Sequence, residues 1–178
     1  MVEKIKVALV GLGNCFSGLI QGIEYYRKNP SQQVIGIIHE KLRDYSIHDI
    51  AFVAGFDVGE NKIGKAVNDA IYELPNMVNW IDKNDMPKTE GMVHESPALD
   101  GVGIWVENKV KPIQSGKSQS ELESEIKQIL KETGTEIIVS YLPVGSEKAT
   151  QFWANICLET NTAFVNCMPA FIASDNDW

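Results

Sequence analysis

Cysteine is scarce in this sequence. Cys15, Cys157 and Cys167 are the only three in 178 residues, and no two are spaced as CxxC. Neither a disulfide framework nor a zinc site is expected from that pattern, and a reducing cytoplasm is the expected compartment. Basic charge is also short: 16 Lys and Arg stand against 24 Asp and Glu, for a formal net charge of −8. A nucleic-acid partner, which favours a basic surface, is therefore not expected. No apolar run approaches the ~20 residues of a membrane-spanning helix, so no membrane partner is expected either. Met1 to Lys6 does not read as a signal peptide. Two of the three histidines, His39 and His48, fall on an expected loop with no third ligand pattern, and no metal site is assigned to them. Internal repeats and low-complexity tracts are missing as well.

What is present is ordinary globular material. Apolar residues make up 44% and charged residues 22%, in a chain long enough for one domain with a sizeable core. The informative stretch is Lys6 to Gly22, KVALVGLGNCFSGLIQG. Val7 to Val10 is a continuous apolar run, suited to a central parallel strand covered on both faces. Gly11-Leu12-Gly13 interrupts it. Phe16, Leu19, Ile20 and Ile23 then recur at helical spacing. Strand, glycine turn and helix in that order make a phosphate cradle: Gly11 for the tight turn, Gly13 for close approach of a pyrophosphate, and free N–H groups at the helix start facing the anion. The match to GxGxxG is incomplete, because position 16 is Phe16 and the next glycine is Gly18. A tight strand-to-helix turn that binds nothing is the alternative.

Further along, the first helix is expected over Asn14 to Lys28, ended by Asn29-Pro30. Ser31 to His48 reads as an insertion with a short apolar piece at Val34 to Ile38. Ile50 to Phe56 reads as the second strand, ending in Asp57. An acid at this strand end accepts hydrogen bonds from the adenosine ribose in nucleotide-binding βαβ units, usually about 20 residues past the glycines. Here it comes much later, so the topological position fits and the spacing does not. A turn or capping acid is the other reading. Ile63, Ala66, Val67, Ala70 and Ile71 predict a second amphipathic helix, stopped by Leu74-Pro75. Gly91 to His94 reads as a brief strand; His94 and Glu95 at its end read as polar loop residues, with approach to a ligand as the alternative. Pro112 to Ser118 reads as a linker. A capping box at Ser120 to Glu123 opens a helix that Gly134 ends. Glu136 to Tyr141 is the next strand, Ser146 is placed to cap a helix carrying Ala149, Phe152, Trp153 and Ile156, and Ala163 to Val165 is the last strand. The alternation predicts an α/β fold, a Rossmann-like doubly wound parallel sheet. In such sheets ligands sit beyond the carboxyl ends of the strands, which would gather Gly11 to Asn14, Asp57, Leu142 to Gly145 and Asn166 to Met168.

Five segments carry a resemblance in the same order: VGLGNCFSGLIQGIEYY (Val10 to Tyr26), FVAGFDV (Phe52 to Val58), SPALDGVG (Ser96 to Gly103), VSYLPVGSE (Val139 to Glu147) and AFVNCMPAFIASD (Ala163 to Asp175). Across almost its whole length the chain resembles the bacterial and archaeal branch of myo-inositol-phosphate synthase, also called inositol-3-phosphate synthase. The insertion before the second strand is a feature of that family and accounts for the late Asp57. The resemblance implies an NAD-dependent isomerase of inositol and phospholipid biosynthesis. It would convert glucose 6-phosphate into an inositol phosphate by internal oxidation, aldol cyclisation and reduction, as a cytoplasmic homo-oligomer, usually a tetramer. Carried over, Gly11, Gly13 and Asn14 would hold the pyrophosphate, with Cys15 in the same cofactor-binding set, and Asp57 the adenosine ribose. Leu142, Pro143 and Val144 would line the nicotinamide side, with Cys167 and Met168 closing over it and Asp100 near the adenosine end.

The family pattern continues past Ser174-Asp175 into a Gly-Asp-Asp-Ile-Lys-Ser-like segment and several substrate-binding lysines, whereas this sequence stops at Trp178. Residues 1–178 are accordingly expected to form a single NAD-binding domain truncated at its C-terminal end, a fragment or one product of a split gene, with no assignable catalytic residue and inactive alone. An NAD-dependent dehydrogenase fragment and a stand-alone, non-catalytic dinucleotide-binding module remain as alternatives.

Overall fold

A computed structural model describes residues 3–30, 36–104, 106–176 and 178. Strand β1 (Ile5–Val10) leads through the glycine turn into α1 (Asn14–Lys28). A two-stranded hairpin, β2 (Lys41–Leu42) and β3 (Tyr45–Ser46), fills part of the insertion, followed by a 3₁₀ turn at Ile47–Asp49. The apolar piece expected from Val34 begins outside the described residues. Next come β4 (Ile50–Asp57), α2 (Val67–Ala70), β5 (Met92–Glu95), α3 (Gln119–Thr133), β6 (Ile137–Ser140), α4 (Glu147–Thr160) and β7 (Ala163–Asn166).

The main sheet has the order β5-β4-β1-β6-β7, and all its pairings are parallel. Counting only these five strands along the chain, the order is third-second-first-fourth-fifth, the doubly wound arrangement expected from the sequence. Its switch point lies between β1 and β6, directly above the glycine turn. Alternation along β1 explains both layers. Ala8 and Val10 face Ile126, Leu130, Trp153 and Ile156 of α3 and α4. Val7 and Leu9 face Phe16 and Ile20 of α1 and Val67 and Ile71 around α2. Phe56 packs its ring 4.9 Å from that of Trp153.

Several local expectations are corrected. The second helix is only one turn long. Gly64 takes φ +80°, its N–H donates to the Val93 carbonyl, and the Lys65 carbonyl accepts from Val93, so β5 draws this backbone away from helical pairing. The capping box lies two residues earlier, at Ser118 and Glu121. Two S-x-x-E patterns overlap here, and the earlier one supplies the cap. His94 and Glu95 are the last residues of β5 rather than loop residues. The stretch after Pro112 is not a free linker at its start: the Ile113 N–H donates to the Val58 carbonyl at 2.9 Å. Ser146 makes no side-chain cap on α4. Asp100 caps it instead, its carboxylate accepting from the N–H groups of Lys148 at 3.2 Å and Ala149 at 2.8 Å.

Candidate functional site

The glycine turn is built by two different constraints. Gly11 takes φ +81°, and a Cβ there would lie 3.0 Å from the Tyr141 carbonyl oxygen. That backbone suits glycine alone. Gly13 is the opposite case: its φ is −84°, and a Cβ would meet nothing within 4 Å. Protein packing does not explain a glycine at 13; a ligand lying against the turn would. The N-terminus of α1 has no side-chain cap and no acid in its first turn, which leaves its amides and its positive end available to an anion.

Beneath the turn lies a buried polar cluster. Leu12 donates its N–H to Asp57 Oδ2 at 2.9 Å. Its carbonyl accepts from Lys62 Nζ at 2.7 Å and from Asn76 Nδ2 at 2.8 Å. Asp57 Oδ1 accepts from the Gly59 N–H at 2.8 Å, and Lys62 Nζ sits 3.5 Å from Asp57 Oδ2. Asp57, Lys62 and Asn76 are all buried. Asp57 is thus engaged by the turn itself, yet a carboxylate offers about four lone-pair sites, and one on Oδ1 remains.

A cavity of about 210 Å³ opens beside this cluster. Gly11, Gly13, Asn14, Asp57, Leu142 and Pro143 all line it, as do Lys62, Asn76 and Asp100. Its walls are largely apolar, from Val58, Pro97, Ala98, Val102, Val106 and Val110. The volume is below the ~300–1,000 Å³ of pockets that enclose a whole drug-sized ligand, so it suits one end of a dinucleotide. A larger hollow of about 790 Å³ lies at the opposite sheet edge, among Lys4, Lys6, Arg27 and Glu90. It is far from the carboxyl ends of the strands and touches no part of the glycine turn.

Four residues expected in the site do not line the cavity. Cys15 is exposed on α1, in a shallow groove with Gly18, Leu19 and Trp80. Val144 is 81% exposed. Cys167 and Met168 follow β7, with Cys167 exposed and the Met168 N–H bonded to Asn166 Oδ1 at 3.0 Å. Cys167 does lie near the switch point: burial first, then a hydrogen bond with the Cys167 thiol, raise the Tyr141 phenol above its ordinary pKa. Asn14 lines the cavity, but its Oδ1 accepts from the Met77 N–H at 2.8 Å, which leaves its backbone N–H for a ligand. Lys62 and Asn76 escape sequence reasoning, since their partner Leu12 lies 50 and 64 residues away. The lysine close after Asp57 is the sole signal in the sequence. Among the described residues, no group of three His, Cys, Asp or Glu side chains is placed to hold a metal ion.

The inositol-3-phosphate synthase of Mycolicibacterium smegmatis is 41% identical over 176 residues, covering 98% of this chain and 46% of that protein. This chain is a relative of the inositol-3-phosphate synthases. The Corynebacterium glutamicum inositol-3-phosphate synthase is 41% identical over 180 residues, with the same shares covered, 98% and 46%. The inositol-3-phosphate synthase relationship is therefore continuous along the chain, and the chain spans about half the length of the curated relatives it matches. Among solved structures, the crystal structure of Ari2 superposes with a TM-score of 0.79 at 28% identity, over 98% of this chain and 50% of that one. A myo-inositol-1-phosphate synthase-related protein from Thermotoga maritima matches with a TM-score of 0.73 at 22% identity, over 97% of this chain and 50% of that one, which speaks for the fold. No protein-family model matches the chain.

Proposed function

We propose that this chain is the NAD-binding domain of an inositol-3-phosphate synthase, an enzyme that converts glucose 6-phosphate into an inositol phosphate in the cytoplasm. One observation carries the reading. A glycine turn at the switch point of a doubly wound sheet opens on an apolar cavity, in a chain 41% identical to such a synthase along its length. The turn and cavity suit a dinucleotide. Gly13 and the first amides of α1 hold the pyrophosphate. Asp57 offers its remaining lone pair to a ribose hydroxyl. Val58, Pro97 and Val102 exclude water from around the adenine, and Leu142, Pro143 and Val144 border the nicotinamide side, with Cys167 and Met168 at its outer margin and Cys15 beside the turn at the start of α1. Bound NAD supplies a reversible hydride acceptor, so that a sugar carbon is oxidised and later reduced within one turnover. Three free thiols, Cys15, Cys157 and Cys167, accord with a reducing compartment.

Calorimetric titration with NAD tests this reading. Saturable one-site binding is the expected result; no binding to the folded chain overturns it. The chain alone should make no inositol phosphate from glucose 6-phosphate and NAD. Chromatographic detection of product above a no-protein control would refute that division of labour.

A further inference from the structure

We infer that Lys62 and Asn76 are positioning residues for the phosphate-binding turn, acting through the carbonyl of Leu12. In its ligand-binding consequence the inference rests on the dinucleotide reading above. Leu12 is completely buried, and both its backbone polar atoms are held from outside the turn. Asp57 takes the N–H, while Lys62 at 2.7 Å and Asn76 at 2.8 Å converge on the oxygen. The plane of the Leu12–Gly13 peptide is thereby held immediately before the first amides of α1. Gly13 has an open Cβ direction; its N–H donates to the Gly11 carbonyl at 2.8 Å within the turn, and the side-chain bonds to Leu12 are what tie that peptide to the rest of the fold.

Each donor is itself restrained. Asn76 Nδ2 also donates to the Ile71 carbonyl at 3.0 Å, and Asn76 Oδ1 lies 3.4 Å from Lys62 Nζ. The third contact of that ammonium is Asp57 Oδ2 at 3.5 Å, so all three of its donor positions are taken. Lys62 is 4% exposed. A buried ion pair contributes little to net stability compared with a well-packed apolar pair, so stability alone gives no reason for a lysine here. Presenting a correctly oriented row of amides to an anion does, because a charge-assisted bond depends on donor direction.

Lys62→Met and Asn76→Ala test the inference, with Lys62→Arg as the conservative variant. Amide hydrogen exchange on the ligand-free chain reads the turn directly. The amides of Gly13 and Ser17, which donate to the Gly11 and Gly13 carbonyls, should exchange faster in both non-conservative variants, while α3 and α4 stay as protected as in the wild type. Ligand titrations by NMR read the consequence. Binding of ADP and NAD should weaken about 10- to 100-fold, the scale of one lost charge-assisted bond. Adenosine, which carries no phosphate, should bind within about twofold of wild type, and Lys62→Arg should recover most of the loss. Wild-type exchange rates at the turn in both variants would overturn the inference, as would equal loss of adenosine and ADP. Asn76→Ala removes no charge and keeps the test decisive if Lys62→Met does not fold. If the wild-type chain binds neither ADP nor NAD, the dinucleotide reading falls, and the exchange rates still decide whether Lys62 and Asn76 hold the turn.

Discussion

Replacing Asp57 by alanine should do two separable things. The carboxylate is 8% exposed and accepts bonds from Leu12 and Gly59 while facing the Lys62 ammonium. Its removal leaves that ammonium buried with only neutral oxygens, those of Leu12 and Asn76. Breaking a buried pair in this way costs about 3–5 kcal/mol. At roughly 2–4 °C per kcal/mol for a chain of this size, the midpoint of thermal unfolding should fall by about 6–20 °C. Loss of the ribose contact should also weaken NAD about 10- to 100-fold, and NADP far less, because the same charge opposes a 2′-phosphate. Differential scanning calorimetry of Asp57→Ala, Lys62→Met and the double variant measures the first effect. The double variant should be more stable than the sum of the single losses implies, since it strands no charge. Titration of NAD and NADP at a temperature where Asp57→Ala is folded measures the second. A midpoint within about 3 °C of wild type would refute the buried-pair argument, since that is the shift of only about 1 kcal/mol. Equal weakening of both cofactors would refute the ribose assignment and leave Asp57 as a turn residue.

Three further outcomes are expected. Gly11→Ala should destabilise the fold by about 1–3 kcal/mol through its left-handed backbone, whereas Gly13→Val should keep the wild-type melting point and lose NAD; calorimetry on both variants reverses the reading if Gly13→Val unfolds or binds normally. Burial pushes the Cys157 thiol up to about 12, so iodoacetamide at pH 8 should label Cys15 and Cys167 on the native chain and leave Cys157 unlabelled, and a third adduct by mass spectrometry would contradict this. Burial also lowers the His94 imidazole below its ordinary 6.5, against a smaller opposite effect of Glu125; as pH falls through 6.5 towards the folded value the unfolded chain binds more protons, so stability should drop there, and His94→Gln should flatten that drop in urea titrations.

Much of the architecture was legible from local pattern. The apolar run Val7 to Val10, the glycines after it and the period of Phe16, Ile20 and Ile23 are signals carried within a few residues, and α1 spans the expected Asn14 to Lys28. Gly134 ends α3 with φ +64° because its left-handed backbone satisfies the last helical carbonyls. Asp57 lies at the end of β4 as its place after an apolar strand requires. Local pattern misleads where a distant segment competes for the backbone, as β5 does for Gly64 and Lys65, or where two caps overlap, as at Ser118 and Ser120.

The sequence by itself determined the alternation of strands and helices, and with it a sheet whose carboxyl edge carries the glycine turn. Backbone hydrogen bonding and hydrophobic period are short-range properties, written into neighbouring residues. Only the tertiary structure decided what each polar side chain does at that edge. Asp100 reaches 49 residues along the chain to cap α4, and Lys62 and Asn76 meet on the carbonyl of Leu12. Cys15 and Val144 turn out towards solvent. A buried charge or amide must find its partner wherever the packed chain brings one, and that choice is made in space, after the strands have paired.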